Sequence, residues 1–155
     1  MSLTKLENLP CYSYDDYVLW EGRWELICGV PHAMSPSPSI AHQTVSQHIA
    51  SQLERALEGC NECHALLPVD WKINEETIVQ PDNLVICGEL EKTVYLCKTP
   101  VLIFEILSKA TAQKDQTTKY KLYENANPKI NGVKISMNAK TMLTKTKKEA
   151  ATMSN

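Results

Sequence analysis

The segment 101–107, with the sequence VLIFEIL, constrains the fold of this 155-residue chain more than any other part of its sequence. Every residue in it is apolar except Glu105, and such a continuous apolar run is typical of a strand that is covered on both faces of a sheet. An unpaired buried carboxylate destabilises a protein by several kcal/mol, so Glu105 must be protonated, paired or bound to a cation. The run therefore predicts a central strand with one acid, Glu105, whose buried carboxylate must be neutralised or paired.

The remaining elements follow from apolar spacing and from turn residues. Helical spacing predicts a long helix over 40–58, preceded by the serine and proline residues of 35–39, and a second helix over 112–124. We also predict a short helix over 12–20, a hairpin over 24–34 that turns at Gly29, and strands over 64–73 and 77–87. This order of elements indicates a mixed α/β domain with helices packed against a central sheet.

Charge is distributed unevenly along the chain. Residues 129–155 contain six lysines and one acid, a net charge of +5, whereas residues 1–128 have a net charge of −7. We predict a folded domain over 1–128 and a lysine-rich divergent segment over 129–155. Within that segment, apolar and polar residues alternate over 133–137, which is enough to predict a weak strand. Such a segment can bind phosphates without sequence preference, whereas an acidic domain repels DNA unless a local patch provides the contacts.

The apolar segments and the cysteines indicate a cytoplasmic protein. No apolar stretch approaches the ~20 residues of a membrane helix, and the N-terminus lacks the apolar region of a signal peptide, so we expect no membrane contact. Six cysteines in a cytosolic chain argue against a disulfide framework. We interpret three of them as small core residues: Cys28, Cys87 and Cys97.

The segment Cys60-Asn-Glu-Cys63-His64 matches the pattern of covalent haem attachment and half of a zinc site. Haem attachment requires export, and a tetrahedral zinc site requires a second pair of ligands that the sequence does not offer. We therefore interpret this segment as a turn after a helix.

Three acids occupy apolar strand segments, where a purely structural protein rarely places them: Glu25, Asp82 and Glu105. Each could simply lie at a strand end or pair with a nearby lysine. Two carboxylates on adjacent strands, however, provide the hard oxygen ligands that Mg²⁺ takes alongside several waters. The sequence thus leaves both an ion-pair and a magnesium interpretation open.

The pair Pro81-Asp82, followed by Glu105-Ile106-Leu107 on a later strand, resembles the signature of the PD-(D/E)xK nuclease superfamily. The wider pattern is similar to the Uma2 family of restriction-endonuclease-like proteins and covers roughly 12–128. It comprises 24–30, 35–38 with His42, 79–82, 104–108 with Thr111, and Asp115 with Lys119 and Tyr123.

The resemblance implies a restriction-endonuclease-like fold, a mixed central sheet flanked by helices. It also implies an endonuclease that hydrolyses DNA phosphodiester bonds with Mg²⁺ or Mn²⁺, in which Asp82 and Glu105 bind the metal and Glu25 completes the catalytic site. The superfamily's usual lysine position is Leu107 here, and Lys119 on the following helix matches the family's displaced lysine. Lys121 is turned about 200° away from Lys119, toward solvent.

His42 matches a recurrent histidine of the family, which implies contact with a substrate phosphate or a role as a proton shuttle. The alternative is a histidine at a helix start that is hydrogen-bonded to the preceding loop.

The resemblance stops near residue 128, where the family continues into another apolar strand. The change to a polar, lysine-rich sequence is what a reading-frame change or a gene truncation near codon 128 would leave. We therefore expect the family's last strand to be missing or altered, which would expose a sheet edge and favour a homo-oligomer. The alternative function is a catalytically inactive scaffold that acts through partner binding or self-association.

Overall fold

The computed structural model describes residues 10–107, 115–126 and 131–136, and it describes side chains for 10–107 and 118–126. The helices are α1 (Tyr14–Tyr17), α2 (Ile40–Ala56) and α3 (Asp115–Ala126). The strands are β1 (Trp24–Ile27), β2 (Val30–Ala33), β3 (Cys63–Leu66), β4 (Asp70–Asn74), β5 (Thr77–Val79), β6 (Asn83–Cys87), β7 (Tyr95–Leu96), β8 (Leu102–Leu107) and β9 (Asn131–Ser136). No helix in these ranges is long and apolar enough to cross a membrane.

The strands form two sheets rather than the single central sheet that the sequence suggests. One has the order β2-β1-β5-β4-β7 and the other the order β3-β6-β8-β9. Neighbouring strands are antiparallel except for the pairs β4–β7 and β8–β9, which are parallel. The mixed α/β fold class is confirmed, as is the hairpin β1–β2, in which Gly29 has the positive φ of 75° that favours glycine in a tight turn.

Two prolines explain why two strand predictions are wrong in detail. The segment 64–73 divides at Pro68 into β3 and β4, and the segment 77–87 divides at Pro81 into β5 and β6. Proline has no N–H to donate to a strand ladder, so it marks the point where each strand ends. At both prolines the chain crosses from one sheet to the other.

The core lies on both faces of β8, as its apolar run predicts. Ile103 belongs to a cluster that contains Trp71 and Tyr123, whereas Phe104 and Ile106 pack with Ile49 of α2. Because side chains alternate along a strand, Glu105 shares its face with Ile103 and therefore lies on the side of Tyr123 and α3.

The cysteines do not behave as predicted. Cys63 and Cys87 are directly opposite each other on β3 and β6, with Cα atoms 4.0 Å apart, and they form a disulfide. Cys28 and Cys97 are exposed free thiols and not core residues. Strand register decides which cysteines meet, and spacing along the sequence does not reveal that register.

The strand β9 pairs in parallel with β8 over its full length, from Leu102 opposite Asn131 to Leu107 opposite Ser136. A strand is therefore present where we expected the family's last strand to be missing or altered, and the weak alternation of apolar and polar residues over 133–137 is its sequence signal. The rest of the predicted lysine-rich segment, 129–130 and 137–155, lies outside the described residues.

Candidate active site

Asp82 lies just before β6, after the buried Pro81, and both of its carboxylate oxygens are engaged. Oδ2 accepts a hydrogen bond from the backbone N–H of Ile106 at 2.7 Å, and Oδ1 lies 3.1 Å from Nε2 of His42. Because β6 and β8 are antiparallel with Asn83 opposite Phe104, Asp82 is placed beside Glu105. The two acids that the sequence assigns to a metal site therefore lie on neighbouring strands.

The first turn of α2 delivers His42 to Asp82. The helix begins at the cap residue Ser39, whose hydroxyl accepts the backbone N–H of His42 at 3.2 Å. One turn further along, Ser46 donates to Oδ1 of the fully buried Asn83 at 2.9 Å, and Nδ2 of Asn83 donates to the carbonyl of Ser46 at 3.3 Å. This pair fixes α2 against β6 at the residue next to Asp82.

One nitrogen of His42 lacks a hydrogen-bond partner among the described residues. Nδ1 is buried and has no hydrogen bond within the part of the chain that the structure describes. If Nε2 donates to Asp82, Nδ1 carries the lone pair of the neutral ring and can accept a proton.

Glu105 projects from the middle of β8 toward α3. Its Oε1 lies 3.3 Å from Nζ of Lys119 and accepts a hydrogen bond from the hydroxyl of Tyr123 at 2.5 Å. Lys119 and Tyr123 are four residues apart, a spacing that places two side chains on one face of a helix. One face of α3 therefore supplies two donors to the same carboxylate oxygen.

Glu25, at the second position of β1, brings the other sheet into the cluster. Its Oε1 lies 2.7 Å from Nζ of Lys119 and accepts the backbone N–H of Gln80 at 2.8 Å. The Glu25 side chain is 8% exposed and that of Lys119 is 14% exposed, so this ion pair is largely removed from water. Lys119 thus bridges two acids, one from each sheet.

Burial and charge together set the protonation of this cluster. The pKa of Glu105 is raised to about 7, above all by burial and to a smaller extent by the negative charges of Asp82 and Glu25, against the lowering effect of Lys119 and of the Tyr123 hydroxyl. Burial lowers the pKa of Lys119, but the carboxylates of Glu105 and Glu25 outweigh it and hold the pKa above its ordinary value. Lys119 therefore remains protonated at neutral pH.

The donor set suits a magnesium ion with a mostly aqueous shell. No group of three or more His, Cys, Asp and Glu side chains is arranged to hold a metal within residues 10–107 and 118–126. Mg²⁺ is commonly bound by only one or two protein carboxylates, with waters completing its octahedron, and Asp82 with Glu105 meets that requirement. Glu25 pairs with Lys119 instead of adding a third ligand.

The structure places the five site residues that the sequence identifies in two contact groups, His42 with Asp82 and Lys119 with Glu25 and Glu105. The backbone N–H of Ile106, next to Glu105, links Asp82 to the second group. Sequence reasoning missed the direct contact of Tyr123 with Glu105, although its four-residue offset from Lys119 was a usable signal. It also missed the Ser46–Asn83 pair, for which apolar periodicity gives no signal.

Comparison with known proteins identifies the family and a similar fold. Residues 14–130 match the model of the Uma2 family, described as "putative restriction endonuclease". This match ends one residue before β9 begins, close to the change in sequence character near residue 128. No curated protein matches the chain.

A solved structure with a similar fold is the crystal structure of "a putative nuclease belonging to DUF820 from Anabaena variabilis ATCC 29413". The two chains superimpose with a TM-score of 0.64 at 19% sequence identity, and the match covers 80% of this chain and 73% of the other. At this identity the likeness concerns the fold.

Proposed function

This chain belongs to the Uma2 family, and from that premise we propose that it is a metal-dependent endonuclease whose substrate is DNA. Asp82 and Glu105 would hold Mg²⁺ or Mn²⁺, and Lys119 would act as the catalytic lysine. The observation that carries the proposal is that Glu105 on β8 contacts Lys119 of α3, while Asp82, just before β6, binds the backbone N–H of Ile106 next to Glu105. The bound metal would supply a water of lowered pKa and positive charge against the phosphate.

Lys119 would stabilise charge in this reaction and would not remove a proton. Glu105 and Glu25 hold its pKa above the ordinary value, which favours the protonated ammonium over a free amine that could act as a base. A protonated ammonium at the same point can orient a phosphate and offset the negative charge that develops on it. Glu25 would serve the reaction by holding Lys119 in place.

His42 would accept a proton through Nδ1. Its Nε2 is already directed at Asp82, and the buried Nδ1 has no partner among the described residues. In that tautomer Nδ1 is an acceptor, whereas Nε2 is already engaged by Asp82. This arrangement favours the proton-shuttle role over donation of a hydrogen bond to a phosphate.

The test combines metal binding with DNA cleavage on the full-length protein. Calorimetry with Mn²⁺ and a plasmid-nicking assay with Mg²⁺ would compare the wild type with Asp82→Asn and Lys119→Met. The exposed Glu54→Gln variant provides a matched control on α2, away from the cluster.

We expect the wild type to bind Mn²⁺ and nick DNA, and Asp82→Asn to lose both properties. Lys119→Met should lower the rate of nicking by about 100-fold or more. The Glu54→Gln variant should match the wild type. A folded wild type that neither binds Mn²⁺ nor cleaves DNA would contradict the proposal and leave an inactive scaffold.

A further inference from the structure

We infer that Tyr123 is a positioning residue that fixes the orientation of Glu105, so that Oε2 of this carboxylate is the oxygen presented to the metal. This inference rests on the proposed function, because it concerns the same metal site. It assigns a role to a side chain that the catalytic scheme above does not use.

The first argument is the distribution of donors on Glu105. Both donors from α3, the ammonium of Lys119 and the hydroxyl of Tyr123, reach Oε1. No donor from the described part of the chain reaches Oε2. With Oε1 doubly engaged, Oε2 is the oxygen whose lone pairs the described residues leave available to a cation.

The second argument is the rigidity of Tyr123. Its residue is 4% exposed, and its ring packs against Trp71 with the ring centroids 5.8 Å apart, inside the main core cluster. A packed aromatic ring has few conformations, so its hydroxyl is held at one point. A hydrogen bond from such a donor fixes the plane of the carboxylate that accepts it.

The third argument is that Lys119 alone is less able to fix the orientation of the Glu105 carboxylate. Its ammonium lies at the end of a flexible four-carbon chain and is shared between Glu25 at 2.7 Å and Glu105 at 3.3 Å. The shorter of the two contacts is to Glu25. Tyr123 therefore supplies the orientation of Glu105, while Lys119 supplies the charge.

A different interpretation is that Tyr123 is only a core residue whose buried hydroxyl uses the nearest acceptor. Both interpretations predict some loss of stability when the hydroxyl is removed. They differ in metal affinity, which changes only if the hydroxyl orients a ligand.

The test is calorimetric Mn²⁺ binding by full-length wild type, Tyr123→Phe and Tyr120→Phe, with circular dichroism to establish folding. Tyr120→Phe is a matched control on the same helix, because its ring lies at the surface. We expect Tyr123→Phe to weaken Mn²⁺ binding about 10-fold or more, and to lower kcat with little change in KM for DNA. Tyr120→Phe should stay within about twofold of the wild type in both properties.

The outcomes separate the inference from the proposed function. A wild type that binds no Mn²⁺ overturns both. A wild type that binds Mn²⁺, beside a Tyr123→Phe variant with unchanged affinity, overturns the role of Tyr123 and leaves the proposed function standing.

A second measurement covers a Tyr123→Phe variant too unstable for calorimetry. Urea unfolding at low temperature would compare the wild type and Tyr123→Phe with and without Mn²⁺. We expect Mn²⁺ to raise the urea midpoint of the wild type and to raise that of Tyr123→Phe by a smaller amount, because a bound ligand stabilises the folded state according to its affinity. Equal shifts produced by Mn²⁺ in the two proteins would overturn the inference.

Discussion

The substitution Glu105→Gln should remove a large part of the pH dependence of this protein's stability. Glu105 has a pKa of about 7 in the folded chain against an ordinary value of 4.5, mainly because of its burial. Between these two values the folded state binds more protons than the unfolded chain, so the free energy of unfolding falls as the pH rises through this window. The difference of about 2.5 in pKa corresponds to about 3 kcal/mol, of which about 2–3 kcal/mol is lost between about pH 5 and pH 8.

The assay is urea unfolding at several pH values in EDTA, so that no bound metal stabilises the carboxylate. The free energy of unfolding of the wild type should decrease from about pH 5 to pH 8 by about 2–3 kcal/mol more than that of Glu105→Gln. The exposed Glu54→Gln variant should follow the wild type. Profiles of the wild type and Glu105→Gln that stay parallel to within about 0.5 kcal/mol would refute the reasoning.

Two further predictions concern the ion pair and the disulfide. Lys119→Met should lower the free energy of unfolding by about 3–5 kcal/mol at pH 8, because it leaves the carboxylates of Glu25 and Glu105 without their shared cation. The neighbouring exposed Lys121→Met should cost less than about 0.5 kcal/mol in the same urea titration, and equal effects of the two variants would argue against a buried bridge. Reduction of the Cys63–Cys87 disulfide, which spans a sequence separation of 24 residues, should lower the free energy of unfolding by about 3 kcal/mol. An unchanged urea midpoint after reduction would show that this cross-link contributes little.

The fold could be predicted from the sequence where one local signal dominates. The apolar run around Glu105 identifies β8, and helical spacing after the serine-proline run identifies α2, whose observed bounds are Ile40–Ala56. The prediction failed where tertiary pairing decides. Pro68 and Pro81 divide predicted strands because the chain there changes sheets, and no local period reports which sheet a strand will join.

The candidate site was predictable to a similar degree. Buried acids are costly, so an acid in an apolar strand is conspicuous, and this singles out Glu25 and Glu105 from the sequence. The position of Lys119 came from family resemblance, because nothing in α3 itself says which strand its ammonium will reach. The contacts of Lys119 with Glu25 and Glu105 join one helix to both sheets, and they depend on packing that only the folded chain defines.

The four-residue offset between Lys119 and Tyr123 has a consequence for how this region can diverge. Each residue added to a helix rotates everything after it by about 100° and advances it by about 1.5 Å. A single insertion or deletion between Lys119 and Tyr123 would therefore swing one of them off Glu105, even if both residues were retained. Substitutions on the solvent side of α3 leave the relative orientation of Lys119 and Tyr123 unchanged. Homologous sequences should therefore vary freely there in residue type but hold the length of this turn constant.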